Sequence, residues 1–215
     1  MQDYIYDIYL ELIENYRTIK ATYELLNKTN DLKIPTHSAG QWLLDNMYII
    51  EAQYNSVKSS FASMTKMNFP NVKPYEQSEQ MRIYFMANEI VEKNSGIVDD
   101  GVVSNYISNF QKHSYVTYNE LAHLPIMLTI AIIKYMKRLC IAITDAELQK
   151  IKVEKRLSNA SQIKKFDLVS KKLLKDLGQT KRNLINKSKV KSSNTAYIEY
   201  MAYRLKDMGS SGDKF

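Results

Sequence analysis

Near the N-terminus, apolar side chains recur at Ile5, Tyr9, Leu12, Tyr16, Ile19, Tyr23 and Leu26. Steps that alternate between four and three residues place all seven on one stripe of an α-helix. The same spacing returns at Leu43, Met47, Ile50, Tyr54, Val57, Phe61 and Met64. Two stripes of equal length, separated by a loop around Asp31 to Pro35, predict an antiparallel helical hairpin. Thr36 or Ser38 is placed to supply the N-cap oxygen of the second helix.

Pro70 and Pro74 fix the next loop, and a third helix is expected from Pro74, where the missing N–H costs nothing. It carries Met81, Tyr84, Phe85 and Val91 and stops at Asn94, Ser95 and Gly96. Asp99 or Asp100 opens a fourth helix bearing Val103, Tyr106, Ile107 and Phe110. Thr117 to Glu120 has the form of a capping box, and a long helix follows to about Arg156. Pro125 is expected to kink it or split off its first turn. From Ile126 to Ile133 the helix is apolar on nearly every face, as a central, buried helix is. Ile163, Phe166, Val169, Leu173 and Leu177 form a further stripe, stopped by Gly178. Gln179 to Lys191 is polar and poorly patterned. Ser192 to Asn194 then caps a last helix with Ile198, Met201, Leu205 and Met208. No segment alternates as a strand does. The expected fold is all-α, a multi-helix bundle of about seven or eight helices with a long N-terminal hairpin and a central buried helix. It is read as a single domain over residues 1–215, a core bundle at 1–157 followed by a basic helical part at 158–215.

The 215 residues suffice to bury a core without staples. Six Gly and four Pro are too few for a strand-and-turn fold. The single cysteine, Cys140, lies in an apolar stretch and reads as a small core residue. Asp3, Asp7 and Glu11 interrupt the N-terminus, which excludes a signal-peptide pattern. The most apolar window, Leu124 to Ile133, is about half of what a bilayer span requires. The chain is therefore expected to be soluble and cytoplasmic.

Charge is segregated. Residues 1–133 carry a net charge of −5, residues 134–191 carry +12, and the rest are neutral. The block from Lys134 to Lys191 is either a solvated helical face or a surface for an anionic neighbour: a membrane, an acidic domain or a nucleic acid.

Candidate chemistry is sparse. His37, His113 and His123 lack partners at metal-ligand spacing, apart from His123 three residues after Glu120; a structural or surface role is expected for each. No phosphate-binding glycine loop and no nucleophile elbow is present. Asp99-Asp100 lacks the second carboxylate pair of a metal–diphosphate motif and reads as a helix N-terminus. Gln179 to Asn183 touches the Q-x-x-R-W pattern of processive glycosyltransferases but lacks its Trp. The sixteen tyrosines fall mainly on the helical stripes, as core residues with hydroxyls at the rim. Trp42 is expected to anchor the hairpin. No catalytic, cofactor-binding or metal residue is assigned.

Several runs resemble one family. Gln41-Trp42-Leu43-Leu44-Asp45-Asn46, followed by Ile50-Glu51-Ala52-Gln53, is similar to the E-W-L-L-D-N…I-E-x-Q run in the N-terminal region of bacterial cyclic β-1,2-glucan synthases. Arg82-Ile83-Tyr84 resembles the family's R-V-Y. Glu120-Leu121, Leu124-Pro125 and Met127-Leu128 resemble its L-T-I-G-E-L-W-A-L-P-x-M-L run. Lys137-Arg138-Leu139 resembles R-R-L, and Ala196 to Leu205 a helix ending in Y-R-L. Gln41 stands where Glu is usual and Ala122 where Trp is usual; of a Y-P-R before the third helix only Arg82 remains. The resemblance spans His37 to Gly209. It implies an N-terminal helical region without catalytic residues, whose partners are downstream catalytic domains that build and cyclise β-1,2-glucan from UDP-glucose. It places the chain at the cytoplasmic face of the inner membrane, with the Lys134–Lys191 block available to anionic lipid. The alternative is a stand-alone basic helical module for nucleic acid or another anionic partner, against which stands the lack of a recognised nucleic-acid motif. An autonomous enzyme is a third reading, and a lesser one.

Overall fold

In the computed structural model, which describes residues 2–74, 79–157 and 192–207, six helices account for most of the backbone. Helix α1 spans Gln2–Asp31, α2 Ser38–Met64, α3 Arg82–Lys93, α4 Asp100–Gln111, α5 Tyr118–Leu157 and α6 Ser192–Asp207. The all-α expectation holds, whereas the described residues carry six helices rather than seven or eight. The stripe from Ile163 to Leu177 and the segment Gln179 to Lys191 lie outside the described residues.

The chain divides into two compact units. The first gathers Met1–Arg17 and Tyr48–Arg138, the second Thr18–Met47 and Leu139–Phe215.

In the first unit α1 and α2 run antiparallel. Tyr9 meets Phe61 edge-on, and one heptad along, Tyr16 stacks flat on Tyr54 with ring centroids 3.9 Å apart. Of the α2 stripe, Ile50, Tyr54, Val57, Phe61 and Met64 are buried in this unit, and Leu43 and Met47 are buried in the second. Ile83, Met86 and Ile90 of α3 and Met127, Ile130 and Ile133 of α5 are buried in the same unit. Helix α4 is different, because none of its residues is fully buried.

In the second unit Leu25, Ile34, Ile151, Val153 and Tyr200 form an apolar cluster, with Leu148, Tyr197 and Met201 packed against it. Gly40 permits a close approach there. A Cβ at that position would sit 2.8 Å from the Thr36 methyl and 3.0 Å from Leu26.

Helix α1 buries more than its predicted stripe. Ile5, Leu12, Ile19 and Leu26 recur every seventh residue, and so do Ile8, Asn15, Thr22 and Thr29, all eight of them buried. The second row turns polar after Ile8. Thr22 Oγ1 lies 2.9 Å from Thr144 Oγ1 of α5. The amide of Asn15 is buried with neither polar atom partnered.

Three local expectations are corrected. The third helix starts at Arg82, not Pro74. Asn71–Val72 (β1) and Gln80–Met81 (β2) pair antiparallel, and Arg82 N donates to Pro70 O at 2.8 Å, so this hairpin takes the backbone groups that an earlier helix start would need. Helix α2 is capped by neither Thr36 nor Ser38. His37 precedes its first residue, and Ala39 N donates to His37 Nδ1 at 3.3 Å. Of the two outcomes expected at Pro125, a kink or a split-off first turn, the split is the one corrected, because α5 continues through the proline. There Thr129 Oγ1 donates to the Pro125 carbonyl.

Other boundaries follow the sequence. Asp99 caps α4 by accepting from Val102 N at 2.8 Å. Helix α3 ends in a 6→1 closure, Gly96 N to Val91 O at 2.8 Å. Gly96 has φ +83°, and a Cβ there would come within 2.9 Å of the Tyr135 ring, so glycine is required twice over.

Candidate functional site: buried ionic ties and the motif residues

The capping box at the start of α5 holds a larger assembly. Glu120 is fully buried at 0% exposure. Its Oε1 accepts from Arg82 Nε at 2.8 Å and its Oε2 from Arg82 Nη2 at 2.7 Å, a bidentate pair between α5 and α3. Glu120 Oε2 also accepts from Thr117 N and Thr117 Oγ1, each at 2.9 Å, while Glu120 N donates back to Thr117 Oγ1. Arg82 Nη1 donates to Ser114 Oγ and Nη2 to the Tyr115 carbonyl. Burial alone would raise the Glu120 pKa, but the guanidinium and the two Thr117 donors outweigh it and hold the carboxyl below its ordinary value. Arg82 is raised in turn by its bond to Glu120. Both carboxylate oxygens are thus hydrogen-bonded within the protein and shielded from solvent.

A second device recurs through the fold. A tyrosine hydroxyl of one helix donates to a glutamate of another: Tyr16 to Glu51 at 2.9 Å, Tyr84 to Glu11 at 2.6 Å, Tyr106 to Glu89 at 2.7 Å and Tyr200 to Glu154 at 2.8 Å. In all four the phenol pKa is raised, first by burial and then by the carboxylate beside it. The sixteen tyrosines of the chain are thereby partly explained: rings fill the core and hydroxyls tie neighbouring helices.

Three of these ties carry cations, and in the Tyr106 tie Lys93 Nζ lies 2.8 Å from Glu89. Lys134 Nζ lies 2.9 Å from Glu11 and donates to Tyr84 Oη at 3.1 Å. Beside this trio a cleft of about 410 Å³ is lined by Tyr4, Asp7, Ile8, Glu79, Gln80 and Met81. Glu154 in the second unit accepts from Tyr200 and pairs with Arg204 Nε at 2.6 Å. Part of the basic block is consumed in the same way. Lys137 approaches Glu14 at 3.9 Å, Arg138 meets Glu92 at 2.7 Å, and Lys150 bridges Glu147 and the Pro35 carbonyl.

The singled-out residues fall as follows. His37 caps α2, His113 is exposed, and His123 packs edge-on against Phe69 with Nδ1 2.8 Å from the Asn119 carbonyl. Asp99 is an N-cap, and Gln179 to Asn183 lie outside the described residues. Cys140 is buried, and desolvation pushes its thiol pKa up to about 12. Trp42 does not anchor the hairpin from inside, being 53% exposed. Among the described residues no group of three His, Cys, Asp or Glu could hold a metal ion, and no helix is long and apolar enough to cross a membrane.

The runs that carry the family resemblance are spread over these ties. Arg82 and Glu120 belong to two separate runs and meet each other, Tyr84 meets Glu11 and Lys134, and Arg204 meets Glu154. In the first run Leu43, Met47 and Ile50 are buried, while Gln41 Nε2 donates outward to Asp45 Oδ1 at 2.9 Å. Sequence reasoning singled out Arg82 and Glu120 separately and did not foresee their pairing, nor the partners of the tyrosines. Compared with known proteins, the chain matches no family model, no curated protein and no solved structure.

Proposed function

We propose that the chain is a non-catalytic helical scaffold, the N-terminal accessory domain of a cyclic β-1,2-glucan synthase-like glycosyltransferase, which packs against catalytic or membrane parts of that protein at its cytoplasmic face. The reading rests on the ordered runs from Gln41 to Leu205. The observation that carries it is the bidentate Arg82–Glu120 pair, in which residues from two of those runs lock two helices together. Charged residues tied to one another in this way support a structural role for these positions. Chemistry is accordingly assigned elsewhere in the parent protein.

The native reading frame beyond Phe215 tests this directly. Membrane spans and a glycosyltransferase region are expected there, and an immediate stop codon would sink the idea. Incubation of the chain with UDP-glucose should release no UDP; steady turnover would make it an enzyme instead.

A second reading, a stand-alone basic module for nucleic acid, is favoured by the net charge of +12 over residues 134–191. Against it, Lys134, Arg138 and Lys150 are already engaged with carboxylates. A gel-shift titration at two salt concentrations separates the readings, because nucleic-acid binding would weaken steeply with salt.

A further inference from the structure

The Arg82–Glu120 pair also holds a surface in place. Between Ser114, whose hydroxyl accepts from Arg82, and Thr117, whose N–H is bound by Glu120, the chain is pinned at successive points. From this fixed turn and the start of α5, Tyr115 and Tyr118 stand in solvent at 79% and 82% exposure, with Leu121 one turn on at 40%. The loop before β1 lies close by, since Phe69 packs on His123; it presents Met67 at 38% exposure. Large apolar side chains clustered in this way mark contact surfaces.

The segment that carries the two tyrosines offers no free carboxylate. From Lys112 to His123 the one carboxylate is Glu120, which is buried and neutralised by Arg82. Lys112 and Lys66 are exposed. Lys112 Nζ donates to Asn109 Oδ1 at 2.8 Å and, among the described residues, pairs with no acid.

We propose that this end of the first unit, the turn 112–117 with the first turns of α5 and the loop 65–69, is a seat for an anionic lipid bilayer surface. Tyr115 and Tyr118 enter the headgroup layer, and Lys112 and Lys66 face the lipid phosphates. A tyrosine ring suits that depth, with an apolar body and a wet hydroxyl, and a bilayer needs no preformed pocket to receive it. A protein partner would need one pocket for each projecting ring. The turn arrives already ordered by Arg82, so little freedom is lost on contact. This deepens the scaffold reading, on which it rests for its setting, by naming a face turned toward the membrane.

The test is sedimentation of the full chain with phosphatidylcholine vesicles and with phosphatidylcholine–phosphatidylserine vesicles at low salt. Partitioning into the anionic vesicles alone is expected. The double variant Tyr115→Ser/Tyr118→Ser should lower it about tenfold, an increment of ~1.4 kcal/mol. Lys112→Gln should lower it about fivefold, the ratio that ~1 kcal/mol per lysine represents. Both variants should melt as the parent does, since the altered side chains are exposed. No binding by the parent, or equal binding by the double variant, overturns the proposal. So does a double variant that keeps vesicle binding and loses capture by a glycosyltransferase fragment, for the turn is then a protein contact. Binding abolished by Lys164→Gln/Lys165→Gln/Lys171→Gln/Lys172→Gln but untouched by the tyrosine changes overturns it as well. A stop codon after Phe215 would remove the scaffold reading and leave the vesicle result standing, so the two fail separately.

Discussion

Arg82 and Glu120 face each other through two parallel hydrogen bonds of 2.8 and 2.7 Å, with the glutamate wholly out of water and the arginine side chain 15% exposed. Breaking such a pair from one side leaves a buried charge alone. Arg82→Met or Glu120→Leu should each destabilise the protein by about 3–5 kcal/mol, whereas the double change should cost clearly less than the sum of the two. Urea unfolding of the three variants measures this, and additive losses would count against a shared ion pair.

Acid should act through the same carboxyl. The Glu120 pKa lies below its ordinary 4.5 because Arg82 and Thr117 bind the charged form. The stabilisation is then present above pH 4.5 and lost as the pH falls through the depressed value. Urea midpoints are expected to drop below pH 4.5 in the parent and to drop less in the Arg82→Met/Glu120→Leu variant. Identical acid profiles would show that other carboxylates govern the transition.

Alkali should act through the tyrosine ties. Burial, followed by the Glu11 carboxylate, raises the Tyr84 phenol from 10.0 to about 12. A raised pKa means that this contribution is complete below pH 10 and disappears as the pH climbs through about 12. Ultraviolet titration of the parent should show a late-ionising component that shrinks in Tyr84→Phe. A titration curve unchanged by that substitution would place Tyr84 outside the late group.

Much of this architecture was legible in advance and some of it was not, for identifiable reasons. All seven apolar positions from Leu43 to Met64 are buried, because a stripe of that length has one way to leave water. Asn15, Thr18, Thr22 and Thr29 were invisible as core residues because their side chains are polar, although the seven-residue spacing from Ile8 through Thr29 was a usable signal. The strand pair at Asn71–Val72 and Gln80–Met81 is too short to alternate. The tyrosine–glutamate ties join residues as far apart as 73 positions, which no local pattern encodes. Arg82 and Glu120 could each be named from the resemblance, but their meeting required the fold.

Cys140 offers a simple probe of the second unit. A thiol that is buried and pushed up to about 12 is almost entirely protonated at neutral pH. A disulfide-exchange reagent should label it slowly in the native protein and rapidly in denaturant. Fast native labelling would mean that the segment around Cys140 opens freely.

The threonine contact can be weighed by itself. Thr22→Val leaves the Thr144 hydroxyl buried without that partner and should cost about 1–3 kcal/mol. Thr22→Val/Thr144→Val removes both hydroxyls at constant shape and should recover most of the loss. Thermal or urea unfolding of the pair decides; a double variant as weak as the single would assign the loss to packing.

That contact belongs to the row Ile8, Asn15, Thr22 and Thr29, which changes character along α1. A uniformly greasy rod can glide past its neighbours in seven-residue jumps at small penalty, but a polar rung works like the cut of a key. A slip carries the Thr22 hydroxyl away from Thr144 and breaks that buried contact. Filling Asn15, Thr22 and Thr29 with leucine would therefore erase the polar rungs and blur the alignment of the helix, trading one arrangement for several.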